Sequence, residues 1–171
     1  SVEAGEVHAL IGPNGAGKTT FFNLITGAFP PDSGRILLGG ENIAGLSAPE
    51  IVRRGIGRAF QIASIFPSLT VREAVLGAVN AHRHWHAKLA RRFPLAEAAA
   101  QTDEVIELVN LQARADTLSG NLSHGEQKLL DIALALALDP KVLLLDEPTA
   151  GMGSEERWQM INTVHRLWQK Q

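Results

Sequence analysis

The chain of 171 residues is 45% hydrophobic and 20% charged, with a formal net charge of -2 and a pI near 6.3, an ordinary balance for one globular domain or one domain with an inserted lobe. No basic face advertises nucleic acid as a partner, and the zero cysteines exclude disulfides and thiolate metal sites. The longest apolar run, Leu129 to Leu138, contains Asp131 and is too short to span a bilayer, and Ser1 to Glu6 has neither the basic start nor the apolar core of a secretory signal, so membrane association is expected through a protein partner.

Val2 and Glu3 read as the tail of an earlier strand, and Val7 to Ile11 as a short buried strand. The next stretch, Gly12-Pro13-Asn14-Gly15-Ala16-Gly17-Lys18-Thr19 followed by Thr20, fits the phosphate-binding pattern G-x-x-x-x-G-K-[ST]. Successive backbone N–H groups must turn inward around a phosphate chain, and side chains at the glycine positions would block that approach or forbid the backbone angles. Lys18 adds a flexible point charge for the β/γ-phosphates, and the Thr19 hydroxyl is placed to ligate Mg²⁺. A helix is predicted from Lys18 to Thr26, ended by Gly27, with its N-terminus aimed at the phosphates.

Pro30 to Gly34 is a turn, Arg35 to Leu38 a strand, Gly39-Gly40 another turn, Pro49 to Arg54 a short helix, and Ile56 to Phe60 a strand that ends at Gln61. Thr70-Val71-Arg72-Glu73 is a capping box opening a helix to about Asn80, and a second helix runs from about Leu95 to Asn110. His82, His84 and His86 would converge only on a strand, with no carboxylate or cysteine to complete a metal set, so that cluster reads as surface. Ser123 and Glu126 repeat the capping-box spacing ahead of an alanine- and leucine-rich helix over Lys128 to Leu138. Lys141 to Leu145 is a continuous apolar run, expected of a strand buried on both faces. It ends in Asp146-Glu147, two carboxylates where open α/β sheets place ligands; one can hold Mg²⁺ while the other orients a water. A last helix runs from about Ser154, with Trp158, Ile161, Val164, His165 and Trp168 on one stripe.

Taken together, these stretches resemble the ATP-binding-cassette ATPase family over nearly the whole chain. Gly12 to Thr19 is similar to its phosphate loop, Gln61 to its glutamine loop, and Leu122 to Gln127 to its signature motif. Leu143 to Glu147 is similar to its second nucleotide motif, and Thr149 to Gly153 to the loop that follows. The resemblance implies an α/β fold with a mostly parallel, RecA-like P-loop NTPase sheet: residues 1–61 as the first part of the ATP-binding core, 62–121 as an inserted helical lobe, and 122–171 as the signature helix with a second, incomplete part of the core. It also implies roles. Lys18 and Thr20 hold phosphates of ATP, while Thr19, Gln61 and Asp146 serve the Mg²⁺ shell. Glu147 is the general base that polarises the attacking water. Ser123 and Gly125 contact the γ-phosphate bound by a second, facing ATPase subunit in a head-to-tail dimer.

Residues near Ile62 to Leu69 would meet transmembrane permease subunits and, through them, a substrate-binding protein, at the cytoplasmic face of the plasma membrane. Arg58 to Gln61, Leu122 to Gln127 and Glu147 to Gly151 look like the branch of importers for branched-chain amino acids and related amides such as urea.

Three departures stand out. His124 replaces the first glycine of the usual signature pair, Gly153 stands where many members have aspartate, and His165 lies too early for the family's histidine loop. The adenine-stacking aromatic and the histidine loop would fall before and after the stretch, which therefore reads as a member cut at both ends and not a self-sufficient ATPase. Two other readings fit a phosphate loop: a soluble ATPase of the same superfamily, which would need long insertions or basic surfaces, and a nucleotide-binding regulatory module without turnover, for which Glu147 would be superfluous.

Overall fold

The computed structural model of the chain describes residues 1–59, 66–82 and 96–169. In chain order it contains α1 (Lys18–Ile25), a two-residue hairpin of β1 (Leu37–Leu38) and β2 (Glu41–Asn42), α2 (Ala48–Arg53), β3 (Ile56–Ala59), α3 (Val71–His82), α4 (Ala96–Leu108), α5 (His124–Leu136), β4 (Val142–Leu145) and α6 (Ser154–Gln169), with 3-10 turns at Gln112–Arg114 and Ser119–Asn121. The class is α/β, and β3 and β4 pair in parallel in the register Ile56↔Val142 through Ala59↔Leu145.

Local chemistry starts the helices where the spacing predicts. Glu73 accepts from the Thr70 N–H at 2.8 Å and the Glu73 N–H returns a bond to Thr70 Oγ1 at 3.2 Å, closing the capping box of α3. The Ser123–Glu126 box does the same for α5. That box starts α5 at His124, four residues before the expected Lys128, because a cap and its first turn are one unit. Residues of α3, α4, α5, β3 and α6 share one core, with Val71, Val75, Val79, Ile106, Val109, Leu130 and Met160 almost fully buried. A second, smaller core forms where Ile43, Ile51 and Ile56 join α2 and β3 to the hairpin.

Four expectations are corrected. Val7 to Ile11 is not a strand: a ladder needs a neighbour, none lies beside it among the described residues, and Val7, Leu10 and Ile11 are 64%, 50% and 89% exposed. The Arg35 to Leu38 strand shrinks to Leu37–Leu38, which pairs with Glu41–Asn42 across the Gly39-Gly40 turn. β4 is half-buried instead of covered on both faces, since β3 is its single neighbour among the described residues. On α6 the buried positions are Met160 and Thr163, with Val164 and Leu167 partly covered, while Trp158, Ile161 and Trp168 face solvent; the predicted stripe is exposed apart from Val164, which lies at the edge of the buried face. His82 ends α3, and residues 83–86 of the histidine cluster lie outside the described residues.

Candidate nucleotide site

The phosphate loop leads into α1 through Gly15 and Gly17, at φ 82° and 84°, left-handed angles that side chains resist. The 3.1 Å from a Cβ built at Gly12 to Ala16 Cβ leaves little room there. The loop is closed by its own lysine: Lys18 Nζ donates to the Gly12 and Pro13 carbonyls at 2.8 and 3.0 Å, and the Ala16 N–H to the Pro13 carbonyl at 3.2 Å. Gly17 caps α1 without a side-chain bond, and no acidic residue stands in the first turn. Thr19 and Thr20 are exposed in that first turn. A helix N-terminus with free N–H groups, a lysine folded over it and no internal anion fits a phosphate.

The carboxylates at the end of β4 have different environments. Asp146 is 6% exposed and its Oδ2 accepts from Arg58 NH2 at 3.0 Å. Glu147 is exposed and sits at φ 47°, a backbone region that costs a non-glycine residue about 1–3 kcal/mol and persists only when neighbours impose it. Those neighbours are visible. The Ala150 N–H donates to the Glu147 carbonyl at 3.0 Å, and Lys128 Nζ, reaching from α5, donates to the Ala150 carbonyl at 2.6 Å and lies 3.5 Å from that of Glu147. Lys128 is 5% exposed, so the helix of the signature stretch holds the backbone that carries Glu147. Asp146 and the Thr19 hydroxyl would offer Mg²⁺ the oxygen donors it takes. Gln61, the remaining expected ligand, lies outside the described residues.

Ser123 and Gly125 open α5 on the other side of the loop after β4. The Ser123 hydroxyl donates to Glu156 Oε1 at 3.1 Å, and the Gly125 and Gly153 N–H groups donate to Glu156 at 3.2 and 3.3 Å. These bonds, the Gly153 N–H first and the Ser123 hydroxyl next, hold the Glu156 carboxyl below its usual range. A Cβ at Gly125 would lie 2.7 Å from that carboxylate, so any larger residue there would push the Glu156 side chain off its three donors. The sequence reading missed Glu156, Lys128 and Arg58. Arg58 and Lys128 are charges in or beside apolar stretches, which is a readable signal, and Glu156 bonds Gly153 three residues back, but the partners that give them their roles are 22 to 88 residues away.

A family model described as ABC transporter matches residues 1–150. The chain belongs to the ABC transporter family. It is 40% identical over 163 residues to the high-affinity branched-chain amino acid transport ATP-binding protein BraF of Pseudomonas aeruginosa, covering 91% of this chain and 63% of that protein. It is also 40% identical over 152 residues to the lipopolysaccharide export system ATP-binding protein LptB of Haemophilus influenzae, covering 89% and 60%. Among solved structures it resembles the ADP conformation of MJ1267, an ATP-binding cassette of an ABC transporter, with a TM-score of 0.82, 29% identity and coverage of 99% and 68%. The dimeric cassette MJ0796 bound to ADP and Pi gives 0.79, 26%, 99% and 72%. The chain thus spans less than two thirds of these two curated relatives' lengths, and the described residues include no helix long and apolar enough to cross a membrane.

Proposed function

We propose that the protein is the ATP-binding and ATP-hydrolysing subunit of a membrane importer, and that its cargo is branched-chain amino acids or related amides. The observation that carries the ATPase reading is the pairing of a lysine-closed phosphate loop with two unlike carboxylates, Asp146 buried and ion-paired, Glu147 exposed at a fixed backbone angle. The loop N–H groups and Lys18 bind the phosphates. Thr19, Asp146 and Gln61 would hold Mg²⁺, which neutralises charge on the phosphate oxygens when bound. Glu147, reaching into solvent, takes the proton of the attacking water. Localisation at the cytoplasmic membrane face through permease subunits belongs to this reading.

The cargo is supported by the likeness to BraF over 91% of the chain and by the residues at Arg58 to Gln61 and Leu122 to Gln127. LptB reaches the same identity over fewer residues, as expected if cargo is chosen by the membrane and binding subunits. The test is reconstitution of the protein with its permease and binding protein in liposomes loaded with ATP. Uptake of labelled leucine is expected. ATP hydrolysis with no uptake of leucine, valine or urea would reassign the cargo, and no hydrolysis at all would remove the ATPase reading.

A facing subunit makes a separate prediction at Ser123. Glu156 now takes the Ser123 and Gly125 donors and must yield them if a neighbour's γ-phosphate is to reach them. If Ser123 only caps α5, Ser123→Ala costs about 1 kcal/mol of stability and leaves turnover per folded molecule intact. The expected result is instead a fall in steady-state phosphate release while ATP binding to a single subunit, followed by equilibrium dialysis, persists.

A further inference from the structure

Arg58 is a charged side chain from the middle of the short strand β3, and its side chain is only 9% exposed. Its NH2 donates to Asp146 Oδ2 at 3.0 Å, just past the end of the neighbouring strand β4. Its NH1 donates to Asn23 Oδ1 on α1 at 2.7 Å and to Thr26 Oγ1 at the C-cap of α1 at 3.3 Å, and the guanidinium carbon lies 5.8 Å from the centre of the Phe22 ring. One planar fork therefore joins the end of β4 to the helix that carries the phosphate loop. The joint matters because α1 contributes no fully buried residue and its apolar anchorage is the partly buried Ile25 at the edge of the smaller core, so directed polar bonds carry much of its placement against the sheet.

We propose that Arg58 is a positioning residue for the phosphate chemistry: it sets the Asp146 carboxylate and the phosphate-loop helix in one fixed relation, so that a metal ion and the nucleotide phosphates meet at the right separation. This rests on the ATPase reading. Oδ2 of Asp146 is occupied by the guanidinium, which orients the carboxylate. Lysine cannot replace the fork, because a single ammonium is a point charge on a flexible stem and cannot hold two directed bonds in fixed geometry. A nearby cation also repels a metal ion, so a residue that served charge alone would be a poor choice here; orientation is what it supplies.

The deciding quantity is the factor by which Mg²⁺ tightens ATP binding, measured by calorimetry with Mg²⁺ and with EDTA. Arg58→Lys is expected to change binding in EDTA by less than about threefold and to lower the Mg²⁺ factor by about tenfold. Asn23→Ala cuts the brace at the half-buried helix and leaves the ion pair, so it keeps a readable variant if Arg58→Lys folds poorly; it is expected to lower the same factor by about threefold. In an Asp146→Asn background Arg58→Lys should add no further loss. A Mg²⁺ factor unchanged in Asn23→Ala or Arg58→Lys, or an equal loss with and without Mg²⁺ that tracks a lower melting temperature, would overturn the proposal in favour of a purely structural tie. Full additivity with Asp146→Asn would overturn it as well. Failure of the unsubstituted protein to bind ATP either with Mg²⁺ or in EDTA would instead remove the ATPase reading beneath it.

Discussion

Glu147→Gln is expected to bind ATP as well as the parent protein and to lose about 10²–10⁴-fold of turnover, the usual contribution of a general base. The exchange is nearly isosteric, and the backbone angle at 147 is imposed from outside the side chain by Ala150 and Lys128, so folding should be untouched. Asp146 cannot take over, because its carboxylate is buried and its Oδ2 is held by the Arg58 guanidinium, leaving it out of reach of a solvent water. Asp146→Asn should show the complementary defect, weaker Mg²⁺-dependent binding. Single-turnover phosphate release together with gel filtration in ATP separates the two: Glu147→Gln should accumulate an ATP-bound dimer that does not decay. Undiminished release by that variant would sink the assignment of the base.

The second large effect is in local stability. Backbone amides of α1 should exchange orders of magnitude faster than those of α5. α5 buries Leu129, Leu130, Ile132 and Ala133 in the main core, so its amides should open only with the whole molecule, at about 5–15 kcal/mol for a domain of ordinary stability. α1 has no fully buried residue, and the segment before it exposes Val7, Leu10 and Ile11, so beyond the Arg58 bonds and the edge contact of Ile25 little holds it, and its opening should cost far less than that of α5. ATP at about one hundred times its dissociation constant should then protect α1 by about 2.7 kcal/mol, roughly a hundredfold in rate. Hydrogen exchange read by mass spectrometry with and without Mg-ATP checks this. Uniform protection across α1 and α5 in the free protein would show that the phosphate-loop helix is anchored by something other than Arg58 and its neighbours.

What could be read from the sequence was what depends on neighbours within four residues. The boxes Thr70–Glu73 and Ser123–Glu126, the glycines of the phosphate loop and the Gly39-Gly40 turn all specify their geometry locally, and each stands in the fold. Val7 to Ile11 failed because an apolar run is only a request for a partner strand; its conformation is decided by what lies beside it. The stripe on α6 failed for a related reason. Helical periodicity marks two candidate faces when tryptophans and small apolar residues alternate, and the side that packs was set by α5, where Met160 and Thr163 meet the core. The candidate site was legible in its carboxylates and its loop, and illegible in its scaffolding. Arg58, Lys128 and Glu156 each act across tens of residues, through contacts that exist only after the strands and helices have come together.

One contact of α6 has an optical consequence. The indole N–H of Trp168 donates to the Gly5 carbonyl at 2.7 Å, and the His165 ring stands edge-on to it at 5.7 Å. Among the described residues, Trp168 is thus the tryptophan tied to the segment that runs into the phosphate loop. An indole bonded to a fixed carbonyl and one bonded to water emit at different wavelengths, because mobile water relaxes around the excited dipole and a carbonyl locked in the chain does not. With Trp85 and Trp158 changed to phenylalanine, the ultraviolet emission of this protein becomes a built-in gauge of whether its first residues are docked, readable in real time as nucleotide is added and without any attached dye.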